Sequence, residues 1–368
     1  MSQQQGPLLL LLGAGASRPF GVPTMPEFLP EPRWRRLDEG VAGALAVRRS
    51  LELYDVVDLE EVLFLLERLA QMERDASDAA VFLPRLHAKW SVLGSLGFSF
   101  DNVRKQASDL RENLRELIYS TCNTFDRDHA WATYSKLFQS ALEHFGGDTL
   151  FVATTNYDRI VESLWEGRAD GLHKLTPSVG LRNGFVPLSY DNPVLDTSRG
   201  FTGPTSGENA VVYLIKLHGS LGWRQYESGR VEETRAREYP ADFAVLAYPI
   251  RQDKAAEPPF KQLYDVFDRA LATATTYALI GTSLRDDAIL NRIADGLRAG
   301  TKRAVIIDAN AEHVRDKLPQ EVRKYVKPIK VTFDAGVKLE SSEDWRTLLA
   351  DVAASPEPPN ESPRRERQ

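Results

Sequence analysis

The sequence predicts an α/β fold: a Rossmann-like, doubly wound, mostly parallel sheet interrupted by an inserted α-helical module. Three observations carry that prediction. Short apolar runs recur at 7–12, 150–154, 211–215, 277–280 and 303–307, each too short to be a helix. Such runs mark strands buried on both faces, as parallel strands are. Four of them end in small or polar residues, and an open α/β sheet places its chemistry at the carboxyl ends of its strands. Between 28 and 144 no good strand occurs, and helical patterns follow one another instead.

Taken in order, the strand at 7–12 runs directly into Gly13-Ala14-Gly15-Ala16-Ser17. Glycines after a first strand allow backbone N–H groups to approach a pyrophosphate, although an ordinary tight turn reads the same way. Arg18 stands where a dinucleotide fingerprint has its third glycine. Helices are expected at 59–72, 79–93, 103–122 and 129–145, with Val62, Leu65, Leu66 and Leu69 on one face of the first. Asp126 and Asp128 suit a helix start, and the pair Glu60 and Glu61 a solvated face. His87, His129 and His144 show no metal-ligand spacing, and Trp90 and Trp131 read as core or interface aromatics.

After Gly146 and Gly147 comes the strand that ends in Thr154-Thr155-Asn156-Tyr157-Asp158, with a helix at 159–165. Asn156 or Asp158 is either a site residue or the cap of that helix. The stretch 170–210, rich in Gly, Pro, Asn, Ser and Thr, reads as a long irregular loop, a lid or an assembly contact. The strand at 211–215 ends in Lys216-Leu217-His218-Gly219-Ser220, which places a histidine at a second strand end. Asn156 and His218 are expected to face solvent there. Short strands at 222–226 and 243–248, and an amphipathic helix at 258–274, precede the strand that ends in Gly281-Thr282-Ser283. Asp286 and Asp287 open the next helix, where carboxylates suit the dipole. The strand at 303–308 closes on Asp308, a ribose acceptor or a plain loop residue. A last strand at 329–333, a helix at 342–352 and a disordered tail at 354–368 complete the reading. The expected domains are a core of 6–25 with 146–353, and the helical module 26–145.

Bulk properties exclude several classes. The 368 residues carry a net charge of -6, so no broad basic field supports nucleic-acid binding. The one cysteine, Cys122, rules out a disulfide framework and a multi-thiolate zinc site. The run at 8–12 is too short for a bilayer and lacks the marks of a signal peptide, so no membrane partner and a cytoplasmic location are expected.

The four strand-end motifs in this order, with Gly21-Val22-Pro23 after the first, resemble the sirtuin superfamily. More closely, they resemble the divergent bacterial sirtuin-like domains that act against phage by destroying NAD. The resemblance covers residues 6–25 and 146–350, with weaker similarity at Asp58-Leu59-Glu60. It implies that Gly13, Ala14, Gly15 and Ser17, joined by Thr24, hold NAD through its pyrophosphate side. It places Thr155, Asn156 and Asp158 around the nicotinamide ribose, and makes His218 the general base. Gly281, Thr282, Ser283 and Asp308 would face the adenosine ribose, although the family usually has asparagine at the last position.

Two departures separate the chain from protein deacylases. Those enzymes hold a structural zinc with four cysteines, and they continue Gly-Val-Pro with Asp-Phe-Arg, where this chain has Thr24-Met25-Pro26. The expected activity is therefore NAD hydrolysis to nicotinamide and ADP-ribose, with NAD as substrate, Asn156 and His218 catalytic, and no metal. The alternatives are an NAD-dependent ADP-ribosyltransferase or deacylase, or a non-catalytic nucleotide-binding assembly subunit. The resemblance further implies abortive infection as the setting. The short tail leaves no sensor domain, so control is expected from a homo-oligomer or a partner such as a ring-forming HerA-type ATPase or a short Argonaute.

Overall fold

The computed structural model describes residues 6–28, six positions between 59 and 70, 100–145, 148–165, 179–183, 185–186, 194–195, 201, 204–226, 230–233, 244–246 and 258–331. The expected helices at 79–93 and 342–352, Trp90, His87, the pair Glu60 and Glu61, and the tail lie outside the described residues. β1 (Leu8–Leu12) runs into two single 3-10 turns, Ala14–Ala16 and Arg18–Phe20. The insertion supplies α1 (Phe100–Cys122) and α2 (Arg127–His144). β2 (Thr149–Thr154) and the short α3 (Ile160–Ser163) follow. Next come β3 (Val179–Arg182), β4 (Phe185–Val186), β5 (Val194–Leu195), β6 (Ala210–Lys216), β7 (Gly219–Gln225), β8 (Val231–Glu233) and β9 (Ala244–Leu246). The described fold closes with α4 (Phe260–Thr273), β10 (Thr276–Ile280), α5 (Asp287–Arg298), β11 (Arg303–Asp308), α6 (Ala311–Lys317) and β12 (Val326–Lys330).

Seven strands form one parallel sheet in the order β12-β11-β10-β1-β2-β6-β3, with helices on its faces. This is the expected Rossmann-like α/β architecture. β1 sits at its centre because all five of its leucines are buried. Leu8, Leu10 and Leu12 pack in one cluster with Leu110, Leu114 and Ile118 of α1 and Tyr134 and Phe138 of α2. Leu9 and Leu11 pack in the other, with Phe267 and Leu271 of α4 and Ile293 and Leu297 of α5. The insertion therefore supplies core to one face of the sheet. Removing one such leucine side chain costs about 2–5 kcal/mol.

The register aligns the strand ends. Leu12 lies level with Thr154 and with Ile280, Thr154 with Lys216, and Ile280 with Ile307. Five turns consequently leave the sheet at one height, and residues of all five line one cavity.

The structure corrects three expectations. The last strand among the described residues is Val326–Lys330, which begins three residues earlier than expected, with Pro328 inside it. As the sheet's edge strand it tolerates a proline, and its mixed burial hides it from an apolar-run reading. Within 170–210, β3 joins the main sheet while β4 and β5 join a second one, so the stretch is not wholly irregular. That second sheet has five antiparallel strands, β4-β5-β8-β7-β9; the short strands expected at 222–226 and 243–248 are its β7 and β9, but their joining into a sheet with β4, β5 and β8 was not anticipated. β4, β5, β8 and β9, of two or three residues each, are too short to display a period.

Candidate active site

The turns that follow β1 and β10 touch backbone to backbone. Gly13 N–H donates to Ile280 O and Gly15 N–H to Gly281 O, each at 2.9 Å. A Cβ on Gly13 would lie 2.5 Å from Gly281 O, and Gly281 itself has φ +59, so both positions need glycine. Ala16 and Ser17 donate back into the 3-10 turn. Of the five N–H groups from Gly13 to Ser17, four are thus engaged within the protein. The glycines serve turn-to-turn contact first, and the N–H of Ala14 is the one that makes no such bond among the described residues. From the insertion, Tyr134 donates its hydroxyl to Ala16 O at 2.9 Å, so α2 braces this turn.

β2 delivers Asn156. Its Nδ2 donates to Gly13 O at 2.9 Å and to Ser17 Oγ at 2.8 Å. Both amide hydrogens are thereby committed, which leaves Oδ1 as the atom available to a ligand. Ser17 Oγ in turn donates to Asp158 Oδ2 at 2.7 Å, and Asp158 Oδ1 accepts the N–H of Ile160 at 3.0 Å. Burial pushes the Asp158 carboxyl up, against the pull of Lys216, the Ser17 hydroxyl and the Ile160 N–H. The N-cap of α3 is Arg159, with no side-chain cap bond, so Asp158 meets the start of that helix only through the Ile160 N–H.

Lys216, at the end of β6, lies below. Its Nζ donates to Asp158 O and pairs with Glu162 Oε1 at 2.9 Å, both side chains almost wholly buried. Two residues on, His218 is buried with only 4% exposure, which overturns the expectation of a solvent-facing histidine. The cause is Asp286, whose Oδ2 lies 2.9 Å from His218 Nε2 and accepts the Tyr264 hydroxyl at 3.1 Å. Its Oδ1 accepts the N–H groups of Ala288 and Ile289 and so caps α5. Burial alone pushes the Asp286 carboxyl up, but these donors outweigh it and hold it below its ordinary value.

All the sequence-predicted residues, from Gly13 through Asn156 and His218 to Asp308, line a single cavity of about 420 Å³, a size ordinary for small-molecule sites. Sequence reasoning missed Asp286 as the histidine's partner, Tyr264 behind it, and Arg285, Asn310, His313 and Lys317 at the far end of the cavity. A signal for Asp286 was present: a carboxylate five residues past Gly281, in the same strand-end turn. Cys122 also lines the cavity, with its thiol pushed well up by burial and by the nearby Asp158. Among the described residues, no three His, Cys, Asp or Glu side chains are grouped as metal ligands, and no helix is long and apolar enough to cross a membrane.

Residues 150–329 match the family model described as a SIR2-like domain. The match begins at β2, so β1 and its glycine turn lie outside it, yet the sheet seats β1 between β2 and β10. No curated protein matches the chain.

Proposed function

We propose, from the premise that residues 150–329 are a SIR2-like domain and that such domains bind NAD, that the chain hydrolyses NAD to nicotinamide and ADP-ribose. The observation that carries this reading is one cavity lined by the glycine turn, Asn156 and the buried His218. When the bond from ribose C1′ to the nicotinamide nitrogen breaks, its electron pair leaves with nicotinamide, which departs neutral. Positive charge develops on the ribose. The carbonyl dipole of Asn156, held in direction by Gly13 O and Ser17 Oγ, presents its negative end to that charge and to an incoming water. Water attacks C1′ and His218 takes its proton, a role worth about 10²–10⁴-fold.

The cell biology proposed with it is depletion of NAD in anti-phage abortive infection, by a homo-oligomer or with a partner such as a HerA-type ATPase or short Argonaute. The deciding experiment is incubation of the purified protein with NAD, alone and as an assembly, with product analysis beside size measurement. Hydrolysis yields nicotinamide with free ADP-ribose. Label transferred from NAD to protein would mark a transferase, and binding without turnover would reduce the site to a nucleotide-holding one. Full activity in a stable monomer without trigger or partner would end the assembly idea.

A further inference from the structure

We propose that Asp286 is a positioning residue that holds His218 in its Nε2–H tautomer and leaves Nδ1 as the base facing the cavity; the use of that base rests on the NAD reading above. Three donors besides His218 face the Asp286 carboxylate. Asp286 Oδ1 accepts from Ala288 N–H at 2.8 Å and Ile289 N–H at 3.2 Å. Oδ2 accepts from the Tyr264 hydroxyl at 3.1 Å and faces His218 Nε2 at 2.9 Å. A carboxylate surrounded by donors stays ionised and has no proton to give, so the hydrogen between Asp286 and His218 sits on Nε2. A neutral imidazole carries one N–H, so Nδ1 keeps its lone pair. Nδ1 has no hydrogen-bond partner among the described residues, and His218 lines the cavity. This is the arrangement of a base oriented by a third group. Tyr264 is fixed in its turn, with the Arg292 guanidinium 4.6 Å from its ring centre.

The competing account is that Asp286 is only the cap of α5. The two oxygens separate the accounts, because the cap uses Oδ1 alone while Oδ2 serves His218 and Tyr264. Asp286→Asn separates them experimentally, since asparagine caps a helix as well as aspartate does. To keep the cap, its carbonyl must stay beneath Ala288 and Ile289, which turns Nδ2, a donor, toward His218. Nε2 must then accept, and the hydrogen moves to Nδ1.

The test reads the tautomer directly from nitrogen-15 spectra of protein labelled at its six histidines, with His218 assigned by His218→Gln. Wild type is expected to show Nε2 protonated and Nδ1 bare, and Asp286→Asn the reverse. Nicotinamide release should fall about 10²–10⁴-fold, with the thermal midpoint nearly unchanged. A wild-type His218 carrying its hydrogen on Nδ1 would overturn the proposal. So would a variant with reversed tautomer and wild-type turnover, or one whose tautomer does not change. If the tautomers behave as expected but wild type releases no nicotinamide, the NAD reading fails and the positioning stands. Should Asp286→Asn not fold, Asp286→Ser keeps a capping oxygen and removes the histidine's partner; it must then lose the fixed tautomer.

Discussion

The two ends of the cavity are built differently. At the His218 end the polar groups are tied to one another: buried His218 with buried Asp286, Asp286 with buried Tyr264, and half-buried Asn156 with Gly13 and Ser17. At the Asp308 end the side chains are open. Asp308 is half-buried and, among the described residues, accepts only the N–H of Asn310, at 2.7 Å, while Arg285 and His313 are exposed. Lys317 Nζ donates to Ser283 O at 2.8 Å, with its ammonium pushed down by partial burial and by Arg285. A group that must act in one protonation state and one direction needs its non-reacting atoms held by hydrogen bonds. A wall that only binds charged or hydroxyl groups works in contact with water.

The largest effect should come from the closed end. His218→Ala or Asn156→Ala should lower nicotinamide release by at least about 10²–10⁴-fold. The burial of His218 adds a cost: His218→Ala leaves the Asp286 carboxylate short of a donor, worth about 1–3 kcal/mol of stability. Circular dichroism must therefore accompany the assay. Wild-type rates in folded variants would break the contrast outright.

Beneath the same end, Lys216 and Glu162 form a buried ion pair, and Lys216 also supports Asp158 O. Lys216→Met should lower stability by about 3–5 kcal/mol, because it leaves the Glu162 carboxylate buried without its counter-charge. Urea denaturation measures this. An unchanged midpoint would mean that the floor of the site is less dry than its burial indicates.

The contrast also explains what was legible in the sequence. Strand ends were legible because β1, β2, β6, β10 and β11 are apolar almost throughout and stop at small or polar residues. The level register then brings those ends together without further instruction. The bond from His218 to Asp286 was not legible, because 68 positions separate the two and Asp286 is also a true helix cap, which is how its sequence reads. The commitment of the Gly13 and Gly15 N–H groups to the neighbouring turn was hidden for the same reason. A glycine that allows close approach looks the same whether the approaching group is a phosphate or another backbone. Of the second sheet, β7 and β9 were legible as short strands, while β4, β5 and β8, of two or three residues each, were too short to read.

The smallest effect belongs to the open end, and it tests which charge there governs the substrate. Under the NAD reading, Asp308 receives the adenosine ribose. One of its oxygens is held by Asn310 N–H, and the other is left to accept hydroxyl donors. A phosphate on the ribose 2′ position would bring two like charges together. Because the aspartate is half-exposed, solvent screens that repulsion to about 1–2 kcal/mol, roughly tenfold in affinity. Wild type should therefore favour NAD over NADP by about that factor through KM, and Asp308→Asn should narrow the gap while kcat for NAD stays put. Arg285 and Lys317 pull the other way, since an added phosphate would meet their positive charge. If they dominate, wild type accepts NADP readily, Asp308→Asn changes little, and Lys317→Ala raises KM for both dinucleotides. A fall in kcat for NAD with Asp308→Asn would instead couple this end to the chemistry and erase the distinction between the two.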